Sequence, residues 1–384
     1  MKITDVIVHP LEMDHGKATW TAHEPFIRTQ MTLIEVRTDE GVVGIGEVAS
    51  GPQSIVCDML AMIAPTIRGM DPCGHAEIWQ RMMSITTPRQ GGLGGWDGMP
   101  TPLPRHLRQQ FMAAMAGIDI ALWDIKGKAA GLPVFRLLGG TRTKVFTYAV
   151  GGMYVQGGPI LDCADELAGF VKDGYRAVKL KSGALALKDE VARIKAVREA
   201  IGPDILLMLD CNAAYDVSAA IEYAHAVAPF DICWFEEPLH WYLQPSDFVR
   251  LANACPIPLS HGERELHRFT ARDYIDSGAL RYIQFDSVRF GGFTEGLRVG
   301  MYAEQKGVLI QPHSWPHLHA HLVSAFGDAA FGAECVGTPE IQHPIHHRIY
   351  SGGAAYGGDG HVHLTEEPGF GMTVDWKAVK ALKV

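Results

Sequence analysis

The 384-residue chain reads as an α/β protein, a closed barrel of eight parallel strands preceded by a smaller α+β domain. Three observations carry that reading. From Val145 to Glu334, short apolar strand runs alternate strictly with helical stretches, the pattern of a parallel sheet whose crossovers are helices. Seven consecutive strand ends carry an ionisable residue, namely Lys181, Asp210, Glu236, Glu263, Asp286, His313 and Glu334, at intervals of 21 to 29 residues, the length of one strand plus one helix. Before Val145 the order differs: strands come first and helices after.

Residues 2–12 and 27–37 alternate polar and apolar positions as strands do, and Asp39-Glu40-Gly41 ahead of VVGIGEVA is a hairpin signal leading into a third strand. Helical periodicity follows at 53–67 and 74–85. A last helix, 107–130, stops at Gly131-Leu132-Pro133. The barrel strands are expected at 145–150, 176–181, 205–210, 232–236, 258–263, 281–286, 308–313 and 331–334. The tail after about 350 is rich in Gly and His and holds no further barrel helix, so the barrel is of the (β/α)7β kind, a modified TIM barrel, and the tail is expected to pack back on the first domain. The expected division is 1–130, 131–350 and 351–384. Two stretches read as loops. Met13–Pro25, carrying Asp14, His15, Lys17, Trp20, Thr21, His23 and Glu24, has the polar and aromatic content of a lid; Arg89–Pro104, dense in Gly and Pro, is either a second lid or a mobile connection.

Composition bounds the class of function. About half apolar and one fifth charged is the profile of a globular enzyme. A net charge of −9 without Lys/Arg clusters argues against nucleic acid as a partner. Seven cysteines without C-x-x-C spacing read as reduced, mostly buried thiols. No signal-type apolar region opens the chain and no apolar run reaches the ~20 residues of a membrane span, so a cytoplasmic protein, without membrane partners, is expected. We also expect a homo-oligomer acting on a small-molecule carboxylate.

Asp210, Glu236 and Glu263 lie 26 and 27 residues apart and close ILLMLD, ICWFE and IPLSHGE, which puts three carboxylates at the same end of three neighbouring strands. One such acid is an ordinary solvated loop starter; three in succession describe a site for a hard divalent cation, with Mg²⁺ the default choice. A cation there stabilises the charge that develops when a bound carboxylate loses its α-proton. Lys179 and Lys181, two apart on one strand, share a face, so each ammonium is expected to depress the other's pKa and leave one able to act as a base. Asp286 and His313 close neighbouring strands; a carboxylate on one imidazole nitrogen leaves the other as acid or base. His317, His319 and His321 are expected mainly to decorate their helix rather than touch the substrate.

These residues resemble those of the enolase superfamily, mandelate racemase group. The likeness runs through AGIDIALWDIKGKAAGLPVFRLLGG (116–140), then KLK, LDCN, WFEEP, HGE, the FDSVRFGG run and PHS. It implies that the first domain caps the barrel, that Asp210, Glu236 and Glu263 bind Mg²⁺, that Lys181 is one base with Lys179 its modulator, that Asp286 and His313 form the other acid/base, and that Glu334 is a protonated acid bonded to the substrate carboxylate. Arg264, after the third ligand, departs from the Asn of the racemase. The first loop is also far more polar than one selecting an aromatic acid, and a pocket for hydroxyl groups needs such partners; Trp20, His23, Asn212 and Trp315 are the expected substrate contacts. The leading expectation is therefore an acid-sugar dehydratase, a lyase that forms a 2-keto-3-deoxy acid. A racemase, epimerase or cycloisomerase, hence an isomerase, is the alternative with the same parts. A barrel that merely binds carboxylates is a remote third, and a metal-dependent hydrolase is disfavoured by the shortage of His at the metal strands.

Overall fold

The computed structural model describes residues 1–87, 99–100, 103, 105–336 and 344–384; the expected loop Arg89–Pro104 lies almost wholly outside them. The chain opens on β1 (Ile3–Trp20), β2 (Pro25–Thr38) and β3 (Val43–Val48), an antiparallel meander, followed by α1 (Gln53–Ile67), α2 (His75–Met83), α3 (Arg108–Ala130) and the short α4 (Val134–Leu137). β1 corrects one expectation. Met13–Trp20 is not an irregular loop but the continuation of the first strand, paired with β2 through Thr19↔Phe26 and Trp20↔Pro25 after an irregularity between Asp14 and Thr19. Its polar residues gave no sign of this because a hairpin standing clear of a core has no buried face to impose alternation.

The helix α3 is apolar on every side, with Phe111 to Ile125 buried throughout, because it lies between the two domains. One face receives β3 so closely that a Cβ on Gly46 would stand 1.9 Å from the Gly117 carbonyl oxygen. Its other face reaches the barrel, where Asp119 accepts from the Thr294 amide and hydroxyl at 2.9 and 2.6 Å.

The barrel alternates as expected: β4 (Lys144–Gly151), the short β5 (Tyr154–Val155), α5 (Asp162–Lys172), β6 (Ala177–Lys181), α6 (Leu187–Ile201), β7 (Leu206–Asp210), α7 (Val217–Val227), β8 (Ile232–Glu236), α8 (Pro245–Ala252), β9 (Leu259–His261), α9 (Arg268–Asp276), β10 (Leu280–Ile283), α10 (Phe293–Gln305), β11 (Leu309–Ile310), α11 (Pro316–Phe326) and β12 (Ala333–Val336). β4 and β6 to β11 pair in sequence order apart from β5; β12 pairs with β4 and an Ile310↔Ala330 bridge closes the ring. The fold is an α+β capping domain on a modified (β/α) TIM-barrel core. Period-2 alternation sorts the strand residues. Val178, Leu180, Leu207, Leu209 and Phe235 face the helices, whereas Tyr148, Ala177, Met208, Trp234 and Tyr282 form a separate apolar layer inside the ring. Two residues beyond Ala177, Met208 and Trp234 stand Lys179, Asp210 and Glu236.

After α12 (Pro344–Ile349), β13 (Tyr350–Gly352), β14 (Ala355–Tyr356), β15 (His361–His363) and β16 (Met372–Val374), the chain ends on α13 (Trp376–Leu382). β15 adds antiparallel to β4, while Lys383 bridges Leu11, bringing the terminal segment to β1. Among the described residues no helix is long and apolar enough to cross a membrane.

Candidate active site

Strand register aligns the central residues. Lys181 pairs with Asp210, and Asp210 with Glu236, in one row across β6, β7 and β8. Glu236 then faces Ser260, so the third acid, Glu263, lies beyond the paired part of β9. Gly262 makes that possible: its φ of 141° is one few side chains adopt, and an added Cβ would meet Ile283 at 3.0 Å. Asp286 and His313 likewise follow the last paired residues of β10 and β11, held by single ladder bonds such as His313 N–H to the Phe285 carbonyl at 3.0 Å. Non-glycine residues in the left-handed region gather here, at Asn212, Glu237, Ser314 and Trp315 with φ of 41°, 41°, 52° and 52°. Each costs on the order of 1–3 kcal/mol, and such strain persists where the surroundings over-determine it.

Asp210, Glu236 and Glu263 converge, one oxygen from each lying within 4.8 Å of the others, and all three are buried. Burial and the Asp210 charge push Glu236 well above the ordinary carboxyl range. Three buried acids that crowd each other and present oxygen atoms alone fit a hard divalent cation, which would relieve that repulsion.

The two proton-transfer candidates flank the triad at opposite ends. Lys181 donates to Asp210, and the His313 Nε2 stands 2.9 Å from Glu263. Lys179 lies deeper, 2.5 Å from Glu236 and 2.9 Å from Glu334. The expectation of mutual depression between the lysines is overturned here: burial lowers both, and Lys179 lowers Lys181, but Asp210 dominates the opposing charges on Lys181 and Glu236 those on Lys179, and both ammonium groups end above their ordinary range. His313 faces a carboxylate with each nitrogen, Nδ1 being 3.0 Å from Asp286. Burial would lower it, yet the charges of Glu263 and Glu334 raise it to about 10, on the imidazolium side, with Nδ1 donating to Asp286 and Nε2 within ion-pair distance of Glu263.

Two further expectations are corrected. Glu334 was expected as a protonated acid. Burial would favour that form, but Lys179 and then His313 outweigh it and hold the group below the ordinary range as a carboxylate, which accepts from Tyr148 at 2.6 Å and Gln284 at 2.9 Å. Trp315 was expected to touch substrate; instead it is 3% exposed and its indole N–H donates to Asp286 at 3.1 Å, so it orients the carboxylate that orients His313. Nor do the histidines of α11 decorate its surface. His319 donates to the Ser314 carbonyl and accepts from the Ser287 amide, and His321 accepts from the Phe135 amide, both buried.

The remaining expected contacts sit at the rim. Asn212 is buried beside the triad, its amide donating to Asp210 at 3.0 Å while its side-chain oxygen has no partner among the described residues. The β1–β2 hairpin bends over the barrel mouth, with Trp20 pairing Tyr154 of β5 and the His23 ring 4.1 Å from Trp241 after β8. Arg264 ties it down, 2.6 Å from Glu237 and 3.3 Å from Glu24. The side chain of Lys17 lies outside the described set.

Sequence reasoning missed Tyr148, Trp234, Gln284 and Gln311. Trp234 donates to Glu236 at 3.0 Å, and Gln311 to the Tyr148 oxygen at 2.7 Å. A signal existed. Gln284 and Gln311 stand two residues before Asp286 and His313 in otherwise apolar runs, so period 2 aims them into the barrel beneath the catalytic layer.

Residues 2–139 match the family described as mandelate racemase / muconate lactonizing enzyme, N-terminal domain, and residues 162–378 match the enolase C-terminal domain-like family. The chain is 35% identical to D-galactarolactone cycloisomerase of Agrobacterium fabrum over 82% of its length and 79% of the relative's. It is 28% identical to arabinonate dehydratase of Saccharolobus solfataricus, covering 90% and 88%. The crystal structure of 3,6-anhydro-D-galactonate cycloisomerase from Zobellia galactanivorans superposes over the full length of both chains with a TM-score of 0.84 at 27% identity.

Proposed function

The chain belongs to the mandelate racemase/muconate lactonizing enzyme family of the enolase superfamily, and from that premise we propose that it removes the proton α to the carboxylate of an acid sugar and then expels the β-hydroxyl. The product is a 2-keto-3-deoxy acid. The observation that supports this most is the placement of two proton-transfer groups on the two ends of one buried acid triad, Lys181 at Asp210 and His313 at Glu263.

Asp210, Glu236 and Glu263 would hold the divalent cation, Mg²⁺ by the oxygen-only donor set. Bound there, the cation supplies Lewis-acid stabilisation of the charge that the substrate carboxylate gains as its α-proton leaves. With a cation at the triad offsetting the Asp210 charge that otherwise holds Lys181 as an ammonium, Lys181 would be a neutral amine and take that proton from one face. Lys179 adds positive charge beneath the developing anion, fixed by Glu334 and Glu236. From the opposite side His313, already an imidazolium, gives a proton to the departing hydroxyl, so the C–H and C–O bonds break, a C=C bond forms and water leaves. The enol then tautomerises to the ketone. Asp286, itself held by Trp315, keeps the His313 ring in orientation.

Substrate choice falls to the hairpin. Trp20 is partly buried over the mouth with an indole N–H that has no hydrogen-bond partner among the described residues, and His23 and Asn212 add polar atoms nearby. Unpaired donors and acceptors of this kind favour hydroxyl-rich acids over apolar ones.

Cycloisomerisation is the second reading, supported by the 35% identity to a galactarolactone cycloisomerase. It would use the same proton abstraction with a ring oxygen as the leaving group. A panel of aldonic and aldaric acids and their lactones, incubated with Mg²⁺ and followed by mass spectrometry and carbonyl derivatisation, separates the two. A keto product lighter by one water supports dehydration; a keto product of unchanged mass supports cycloisomerisation. Exchange of the α-proton in deuterium oxide without any keto product would replace both with a racemase or epimerase. Removal of the metal should abolish every one of these reactions.

A further inference from the structure

Glu47, in β3 of the capping domain, is 1% exposed. Its carboxylate faces His317 Nε2 at 2.8 Å and His346 Nε2 at 3.2 Å, and accepts a hydrogen bond from the Tyr350 hydroxyl at 3.0 Å. Among the described residues its ion-pair partners are these two histidines, with no Lys or Arg. Burying a carboxylate is costly unless positive charge stands against it. One ligand atom from each of Glu47, His317 and His346 lies within 4.8 Å of the others.

The three come from separate segments: β3, the first turn of α11 and α12 in the tail. Their convergence is therefore fixed by the contact of capping domain, barrel and C-terminal segment. Ring contacts hold the imidazoles, with His317 and His346 centroids 4.6 Å apart, Tyr350 stacked on His346 at 5.6 Å, and Trp315 edge-on to His346 at 5.2 Å.

We infer that Glu47, His317 and His346 form a second divalent-cation site, distinct from the acid triad, that takes a zinc-class ion. Two imidazoles and one carboxylate are a borderline donor set; it suits Zn²⁺ or Co²⁺ in a four-coordinate arrangement completed by water, whereas Mg²⁺ prefers oxygen ligands alone. Tyr350 serves as the outer partner that orients the carboxylate. The assignment is independent of the reaction catalysed at the barrel mouth.

The test is metal stoichiometry. Full-length protein stripped with chelator is titrated with Co²⁺, read by visible absorption, and with Zn²⁺, read by elemental analysis after desalting. The wild-type chain should bind two equivalents, Glu236→Gln should keep the equivalent with the strong visible bands of an N/O four-coordinate site, and His317→Gln and His346→Gln should each lose it. Zn²⁺ should raise the melting temperature of Glu236→Gln and leave that of a folded Glu236→Gln/His346→Gln double variant unchanged. A wild-type chain that binds one equivalent, lost in Glu236→Gln, overturns the assignment whether or not the histidine variants fold. Retention of both equivalents in a folded His346→Gln protein overturns it equally.

Discussion

Replacing Arg264 by Ala tests how the hairpin is held over the site. Arg264 is 21% exposed and joins Glu237, 1% exposed, to Glu24, 55% exposed, while its guanidinium lies 5.8 Å from the Trp241 ring. The two arms differ in worth. Glu237 already rises to about 7 through burial and then Glu263, and Arg264 is the largest opposing charge; among the described residues the His261 ring also stands near it, at 3.6 Å. Removing one partner of a buried pair costs about 3–5 kcal/mol, and the partial exposure of Arg264 together with the ability of Glu237 to take up a proton place this case near about 3 kcal/mol. For a chain of this length that corresponds to a fall in melting temperature on the order of 4 °C. The exposed arm is worth less than about 1 kcal/mol, so Glu24→Gln should barely move the midpoint. Arg264→Lys should recover only part, since one ammonium cannot replace the fork that reaches both acids. Chemical denaturation of the four proteins, with hydrogen exchange on residues 19–26, reads both effects. Exchange at the hairpin tip should quicken in Arg264→Ala. Equal, small changes for Arg264→Ala and Glu24→Gln, or an unaltered tip in a clearly destabilised Arg264→Ala, would refute the account.

Three further outcomes are expected. His313→Asn and Lys181→Ala should each keep the fold and metal binding while lowering turnover by ~100-fold or more, the scale of a lost general acid or base; full activity in either would show the proton-transfer group to be misassigned. Trp315→Phe removes the indole N–H from Asp286 but keeps the ring, and loss of a hydrogen bond to a charged group, about 1.5–3 kcal/mol, should lower kcat by roughly 10- to 100-fold with KM little changed and the acid limb of the pH profile displaced. An unaltered profile would reduce Trp315 to packing. Burial holds His321 at about 3, below its ordinary 6.5, so the stability linked to it is present above about 6.5 and lost as pH falls toward 3, at up to about 1.4 kcal/mol per pH unit. Urea midpoints of wild type and His321→Gln at pH 7, 5 and 4 should diverge, the variant losing less; parallel lines would contradict the buried neutral imidazole.

The barrel and its acid triad were legible in the residues alone because both are repeats. A strand-plus-helix unit returns the chain to the same rim, and a carboxylate ending each of three units must arrive beside its neighbours whatever packs outside; Asp210, Glu236 and Glu263 follow from that period. Lys179 and Lys181 were legible for a related reason, the period of 2 along a strand. Charge balance was not. Whether two ammonium groups depress each other or are held up by carboxylates depends on distances across the ring, and these put Glu236 and Glu334 on Lys179 and turned the expected protonated Glu334 into a carboxylate. The same limit hid the work of Trp315, whose left-handed φ swings its indole back onto Asp286, and the hairpin, whose polar residues 13–20 form strand because β2 lies beside them. It also hid the meeting of Glu47 with His317 and His346, which are 270 residues or more from Glu47 along the chain. Local pattern determines which face a side chain takes on its own element; only packing between elements decides what stands opposite it, and the state of a buried charge is set by what stands opposite.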